Sequence, residues 1–438
     1  MNALVPVALA VLLALGGTLA GSRLFGPRDG RGYRLALALA AGSLIAHLLL
    51  TLWTVLAVPW TRGTVLLPLA ALAAGGARWA RRGTPGPERP RPGWGDALAA
   101  LALVTFGGVA LRLWITTPDF VYHWGIKGHR YFLAGGIDYD FLTRPWNWIV
   151  HPDYPNLLPE LYASTALLLG GFAEPAMMLW SAIWFAALLV VVREAVARCA
   201  SDLRLQQAVV AVVALAAAQA GIGHLMAGGA DWLVAFALVA ALPPLLDPGG
   251  REEDLQVGAL AAFAAASKVE GVALGAFLVL VHGVGRWRSG GRPRPWALAA
   301  LTLPGLLVVG PWLWAVEHYG LLGEYNVGRF EPERLGVVAA GLWKAMNGRG
   351  WHGLSWALLL LPFVLWRRRT RAAAAVILLQ LGFYLYTYFS ARVDVAFLIA
   401  TSWPRLLLHL LPALLVLAAV AWGGNGGREP PEIADGGV

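Results

Sequence analysis

Residues 35–58 read LALALAAGSLIAHLLLTLWTVLAV, a run of 24 residues without a single Asp, Glu, Lys or Arg. As a helix this run would rise about 36 Å at ~1.5 Å per residue, and the hydrocarbon core of a bilayer is ~30 Å thick. The stretch therefore predicts a membrane-spanning helix.

Similar apolar segments lie on both sides of this run. They are 3–21, 63–80, 97–115, 157–171, 175–192, 207–222, 231–246, 255–284, 296–316, 354–366, 372–389 and 404–422. Their number predicts an all-α, polytopic transmembrane bundle of about 11–14 membrane segments. We assign this bundle to residues 1–422 and expect residues 423–438, which are rich in Gly and Pro, to form a disordered cytoplasmic tail.

The overall composition excludes several classes of protein. Hydrophobic residues make up 58% of the chain and charged residues 13%, against roughly 25% charged residues in soluble domains. So much apolar surface cannot be hidden in a soluble enzyme of this length. The single cysteine, Cys199, cannot form an internal disulfide, so a disulfide-stapled secreted domain is excluded too.

The net charge of +9 could indicate a nucleic-acid partner, but the placement of the charges argues against one. Many arginines fall in short runs between apolar segments: Arg23/Arg28/Arg31/Arg34, Arg78/Arg81/Arg82/Arg89/Arg91, Arg286/Arg288/Arg292/Arg294 and Arg367/Arg368/Arg369/Arg371. Such runs mark cytoplasmic loops. We expect no nucleic-acid partner, a bacterial cytoplasmic membrane, and two polar stretches, 117–154 and 317–353, on the outer side.

The segment 255–284 is too long for one span and carries Lys268 and Glu270 at its middle. A charge at the bilayer centre costs about 2.5–3.5 kcal/mol, so we predict two short helices joined by a turn at 268–271. The arginine runs then require that one apolar segment does not cross the membrane. The candidates are 157–171 and 207–222, and the sequence leaves both open.

The stretch 117–154 mixes charged and aromatic residues. Asp119, His123, Lys127 and Arg130 recur at spacings of three and four, which places them on one face of a helix. Pro118 favours the start of this helix, and Gly135-Gly136 favours its end. One interpretation is an amphipathic helix whose charges meet lipid headgroups; the other is a functional site.

The segment from Asp119 to Gly136 (DFVYHWGIKGHRYFLAGG) resembles the first external loop of polytopic glycosyltransferases of the GT-C superfamily, in the bacterial branch of lipid A aminoarabinose transferase and protein O-mannosyltransferases. Four later segments resemble that branch as well: His151–Tyr162 (HPDYPNLLPELY), Gly229–Phe236 (GADWLVAF), Ser267–Gly271 (SKVEG) and Thr401–Pro412 (TSWPRLLLHLLP). Phe120 stands where the family has a second acidic residue.

The resemblance implies a polyprenyl-phosphate sugar as donor, an extracytoplasmic acceptor and inversion at the sugar carbon. Asp119 would then be the general base, and Lys127, Arg130, Lys268 and Arg405 would contact the donor phosphate. The further site candidates are His123, Tyr122, Asn156, Glu160, Asp231 and Glu270. We expect no cofactor. A divalent metal site at Asp119/His123 or His151/Asp153 is the less favoured interpretation.

Other functions fit the same sequence. A secondary transporter or flippase of a lipid-linked or small polar substrate would explain a broken helix at 268–271, and a non-catalytic envelope-assembly protein would share the composition. Convergence of Asp119, Lys127, Asp231, Lys268 and Arg405 on one outward-facing cavity would support the transferase hypothesis. Their dispersal to separate lipid-facing surfaces would contradict it.

Overall fold

A computed structural model describes residues 4–24, 29–80, 92–200, 202–248, 250–290, 295–321, 328–348 and 351–423. Within these ranges the chain is helical and contains no strand, so the predicted all-α class is confirmed. Arg28, Arg81, Arg82, Arg89, Arg91, Arg292, Arg294 and the expected tail after Gly423 lie outside the described residues.

The α-helices follow one another as α1 (Leu4–Leu24), α2 (Arg31–Val55), α3 (Leu67–Ala80), α4 (Trp94–Arg112), α5 (Gly125–Ala134), α6 (Tyr139–Leu142), α7 (Leu157–Leu169), α8 (Glu174–Cys199), α9 (Leu203–Gly223), α10 (Asp231–Ala240), α11 (Leu242–Leu246), α12 (Arg251–Ser267), α13 (Val269–Gly290), α14 (Pro295–His318), α15 (Leu335–Met346), α16 (Leu361–Trp366), α17 (Arg371–Ser390) and α18 (Val395–Gly423).

Eight of the described helices are long and apolar enough to cross a membrane. They are α2, α4, α8, α9, α13, α14, α17 and α18. Four further apolar stretches are shorter, at Leu4–Leu19, Leu157–Leu169, Asp231–Leu246 and Leu354–Trp366. The chain is therefore a multi-pass membrane protein with a polytopic helical bundle, as predicted.

The segments that the sequence left open differ in length. Helix α7 has 13 residues and rises about 20 Å, well short of the ~30 Å hydrocarbon core, whereas α9 has 21 residues. Of the two candidates, only 157–171 is therefore too short to span by length. Its residues 157–167 are all buried, so α7 packs within the bundle.

The predicted break at 268–271 is confirmed. Lys268 adopts an extended conformation (φ −163°, ψ 157°) between α12 and α13. The two helices then pack closely, since a Cβ on Gly271 would lie 1.9 Å from the carbonyl oxygen of Ala264. Helix α13 has 22 residues and is longer than the short helix expected there.

Helix α10 forms the centre of the bundle. All ten of its residues are buried, and it packs against α8, α12 and α18. Its first residue is Asp231, so a carboxylate stands at one end of an otherwise apolar central helix. The polar groups that meet this carboxylate define the candidate site.

Candidate active site

Arg405, on α18, connects two acidic residues from distant parts of the chain. Its Nη1 donates to Oδ1 of Asp119 at 2.9 Å, and its Nη2 donates to Oδ2 of the same carboxylate. On its other side, Nε and Nη2 donate to Oδ2 of Asp231 at 3.1 and 3.0 Å. The guanidinium thus bridges Asp119 and Asp231 with a planar fork of donors, which suits two carboxylates.

Asp231 also collects the residues of the helix break and of α18. Lys268 Nζ donates to Oδ1 of Asp231 at 2.9 Å, and His409 Nε2 lies 3.0 Å from the same oxygen. Lys268 Nζ lies 3.1 Å from Oε1 of Glu270 as well. The buried carboxylate of Asp231 therefore contacts two cations and one histidine, so its negative charge is compensated where water does not reach.

Local structure fixes Asp231 at the start of α10. Gly228, three residues before Asp231, has a φ of 77°, in the region that favours glycine. Its carbonyl accepts a hydrogen bond from Tyr162 at 3.0 Å, and its N–H donates to Ser181 Oγ at 2.6 Å. These two hydrogen bonds, with Tyr162 on α7 and Ser181 on α8, fix the turn that positions the Asp231 carboxylate.

These groups border one cavity, whose empty space with its mouth is about 1090 Å³. Asp119, Lys268, Glu270 and Arg405 line it together with residues from the α4–α7 connection and from α17. Asp231 lies directly behind Lys268 and Arg405, with no exposure of its own. Four segments separated by up to 286 positions thus meet at one site.

Lys127, predicted as a phosphate contact, lies behind the cavity. Its side chain is fully buried, Nζ donates to the carbonyl of His151 at 3.1 Å, and Nζ lies 4.9 Å from the ring centroid of Trp124. Burial lowers the pKa of Lys127 to about 7, although Asp153 acts in the opposite direction. The residue is adjacent to the site but is not among the cavity-lining residues.

The predicted helix around Lys127 is confirmed, and its polar face turns inward. A π-helical turn at Asp119–Trp124 runs directly into α5, and Gly135 (φ 65°) ends the helix. Leu133 is 62% exposed, whereas Lys127 is fully buried. The charges at Asp119 and Lys127 therefore meet other protein groups and not lipid headgroups.

Four other predicted site residues stand apart from the cavity. Arg130 pairs with Asp138, its Nε at 3.0 Å from Oδ2, and Tyr122 is 53% exposed. Asn156 accepts a hydrogen bond from Tyr131 at 2.8 Å, and Glu160 lies 2.6 Å from His47 Nδ1 in a buried pair. None of the four lines the cavity.

His123 does line the cavity, next to His151. Their ring centroids lie 4.2 Å apart. Burial lowers the pKa of His123 to about 4 and that of His151 to about 2, and neighbouring cations add to both shifts. Burial raises the pKa of Asp153. Both imidazoles are therefore neutral near pH 7, so the positive charge at the cavity comes from Lys268 and Arg405.

Sequence reasoning missed His409 and Tyr384. The Tyr384 hydroxyl lies 2.7 Å from His409 Nδ1, while His409 Nε2 faces Asp231. Because an ionised carboxylate only accepts hydrogen bonds, Nε2 carries the proton and Nδ1 accepts from Tyr384. The signal in the sequence was the spacing, since His409 follows Arg405 by four residues on one helix face.

The described residues contain no group of three or more His, Cys, Asp or Glu side chains arranged to hold a metal ion. Asp119, Asp231 and Glu270 are instead paired with Lys268 and Arg405. The chain matches no protein-family model, no curated protein and no solved structure.

The arrangement can bind an anion and accept a proton. Lys268 Nζ has three hydrogens and gives two to carboxylates; Arg405 Nη1 has two and gives one to Asp119. The remaining hydrogens of these two cavity-lining groups are available to a phosphate. Asp119, on the same cavity, supplies a carboxylate that can take a proton.

Proposed function

We propose that the protein is a membrane glycosyltransferase that moves a sugar from a polyprenyl-phosphate donor to an extracytoplasmic acceptor. The acceptor would be a cell-envelope glycan, lipid or protein. The observation that carries the proposal is the convergence of Asp119, Lys268 and Arg405, with Asp231 behind them, on one cavity. The resemblance of the five sequence segments to GT-C glycosyltransferases supports the same reading.

The proposed reaction needs one base and one phosphate site. Asp119 takes the proton from an acceptor hydroxyl, and the acceptor oxygen attacks the anomeric carbon opposite the phosphate. The bond from this carbon to the phosphate oxygen breaks, and its electron pair stays on the phosphate. The spare hydrogens of Lys268 and Arg405 stabilise that charge, and the sugar carbon is inverted.

The Asp119–Arg405 contact gives the cycle an order. Both carboxylate oxygens of Asp119 accept from Arg405, so the base is held by a cation. A phosphate that binds the spare hydrogen of Arg405 Nη1 draws on the same positive charge that holds Asp119. Donor binding therefore loosens the hold on Asp119 and makes its carboxylate available to the acceptor.

We place the protein in the bacterial cytoplasmic membrane with the cavity facing outward. The support is the position of the arginine runs: Arg367, Arg368, Arg369 and Arg371 lie between α16 and the start of α17, whereas the cavity lies at the other end of α17, at Tyr384 and Tyr388. By the positive-inside rule, the arginine end faces the cytoplasm.

The test is transfer of sugar by the purified protein in liposomes that contain a polyprenyl-phosphate sugar and a mixture of envelope acceptors. Asp119→Asn is expected to lower transfer at least about a hundredfold, the usual contribution of a general base. Asp140→Asn, an exposed carboxylate of the same connection, is the matched control and is expected to retain activity. Transfer by Asp119→Asn at the wild-type rate would overturn the assignment of the base.

A transporter remains the second candidate, because buried ionisable pairs occur within the bundle. His47 Nδ1 lies 2.6 Å from Glu160 Oε2, and His282 Nε2 lies 2.8 Å from Asp254 Oδ1. Ionisable residues at membrane depth often mark transport pathways. If Glu160→Gln abolishes movement of a lipid-linked sugar across liposomes while no sugar is transferred, the transporter is correct.

A further inference from the structure

The cavity has two chemically different sides. One side carries the cationic groups of Lys268 and Arg405, paired with Asp119, Asp231 and Glu270. The other side comes from the α4–α7 connection and is formed by His123, Trp124, His151, Asp153 and Tyr154, which we call the loop wall. The proposed reaction assigns the first side to the phosphate and leaves the loop wall without a ligand.

The loop wall is a set of packed rings. The centroids of His151 and Tyr154 lie 4.6 Å apart in a stacked arrangement, and those of Trp124 and Tyr154 lie 5.8 Å apart. Lys127 contacts this set from behind, since its Nζ donates to the carbonyl of His151 and lies 4.9 Å from the ring centroid of Trp124 and 6.0 Å from that of Tyr154. The rings are therefore fixed in place before a ligand arrives.

Some buried polar atoms of the wall have no hydrogen-bond partner among the described residues. His123 Nδ1 is buried and has no hydrogen-bond partner in the described part of the chain. Oδ1 of Asp153 likewise has none among the described residues. A neutral imidazole has one donating and one accepting ring nitrogen, and an ionised carboxylate oxygen only accepts. A ligand that carries hydroxyl groups would satisfy both groups.

The aromatic rings and unpartnered polar atoms of the loop wall suit a ligand that contains a polyhydroxylated ring. Its apolar C–H face can pack on an aromatic ring while its hydroxyls form hydrogen bonds with His123 and Asp153. A carboxylate on that ring would have no hydrogen to donate. It would also be repelled by Asp153, and site groups that disfavour one ligand in this way create selectivity.

We propose that the loop wall binds the sugar of the donor and selects a sugar without an acidic substituent over a uronic acid. This inference rests on the proposed function and specifies its substrate class. It also gives Lys127 a role: it is a positioning residue for the wall and not a phosphate contact.

The test measures binding of three synthetic polyprenyl phosphates of equal chain length to the protein in lipid nanodiscs. One carries no sugar, one carries a neutral hexose and one carries the corresponding hexuronic acid. The hexosyl lipid is expected to bind about tenfold tighter than the sugar-free lipid, as one aromatic contact and its hydrogen bonds provide. The uronosyl lipid is expected to bind no tighter than the sugar-free lipid.

Variants locate the effect. Tyr154→Ala is expected to remove the tenfold gain from the hexose and to leave sugar-free binding unchanged, while Asp153→Asn is expected to improve uronosyl binding several-fold. Tyr139→Ala is the matched control, because Tyr139 belongs to the same connection but stacks on Tyr319 away from the cavity. It is expected to keep the gain.

The outcomes separate the two proposals. If hexosyl and uronosyl lipids bind wild-type protein equally, or if Tyr154→Ala keeps the full gain, the loop wall does not select the sugar and this inference fails alone. If the sugar-free lipid and both glycosylated lipids all fail to bind, the proposed function fails and this inference fails with it.

Discussion

Arg405 and Asp231 lie 174 positions apart in the sequence, yet two nitrogens of the guanidinium donate to one carboxylate oxygen, at 3.1 and 3.0 Å. The carboxylate is fully buried, and its other oxygen faces Lys268 and His409. One acidic group thus holds the helix break between α12 and α13 against α18. Its charge, and not only its shape, keeps the site together.

Replacement of this charge tests that relationship. Asp231→Asn leaves Lys268 and Arg405 buried with one counter-charge fewer, so we expect the free energy of unfolding to fall by about 3–5 kcal/mol. The measurement is unfolding in mixed detergent micelles. The double variant Asp231→Asn/Lys268→Met is expected to lose less than Asp231→Asn alone, because it buries one cation fewer. A larger loss in the double variant would contradict the charge argument.

The sequence predicted those parts of the site where charged residues interrupt an apolar segment. Lys268 and Glu270 predicted the helix break because a charge inside a bilayer is costly, and the break is present. His409 was not predicted. A neutral histidine in an apolar run reads as an ordinary helix residue, and its role depends on Asp231, which meets it only through tertiary packing.

The burial of Lys127 was also beyond what the sequence could predict. Its position on one helix face with Asp119 was visible in the sequence, but the spacing could not show how deep each side chain of that face lies. Asp119 reaches the cavity and Lys127 packs behind Trp124. Depth is decided by the elements that cover the helix, and here α7 packs directly on α5.

The hydroxyl of Tyr384 is expected to stabilise the site through His409. Tyr384→Phe leaves His409 Nδ1 buried without its donor, so we expect the free energy of unfolding to fall by about 1–3 kcal/mol and sugar transfer to fall with it. Tyr386→Phe is the control, since Tyr386 is 45% exposed on the same helix. Equal unfolding free energies for the two variants would show that the Tyr384–His409 bond contributes nothing.

The lowered pKa of Lys127 predicts that the free energy of unfolding increases with pH. Its pKa is about 7 in the fold, against ~10.4 for an unperturbed lysine. Between these values the unfolded chain binds more protons, so the free energy of unfolding rises with pH, by at most about 1.4 kcal/mol per pH unit. Below pH 7 the ammonium is present in both states and this contribution is flat.

The measurement compares wild type with Lys127→Met from pH 6 to pH 10. The stability of wild type relative to the variant is expected to increase above pH 7. Lys344→Met, which removes an exposed lysine on α15, is expected to keep the pH dependence of wild type. A Lys127→Met variant whose stability runs parallel to wild type over this range would show that Lys127 is not held in its neutral form by burial.

The surroundings of a glycine are expected to decide what a Gly→Ala substitution does to stability, and Gly42 and Gly108 differ in this respect. A Cβ on Gly42 would lie 1.9 Å from the carbonyl oxygen of Leu13, where α1 crosses α2, whereas a Cβ on Gly108 in α4 would have no described atom within 4 Å. Gly42→Ala must push the two backbones apart and is expected to cost about 1–3 kcal/mol. Gly108→Ala is expected to be neutral or to stabilise by up to about 1 kcal/mol, because alanine favours the helix. Melting temperatures in one detergent decide the matter: if the two variants shift equally, the close contact between α1 and α2 is not what requires glycine at position 42.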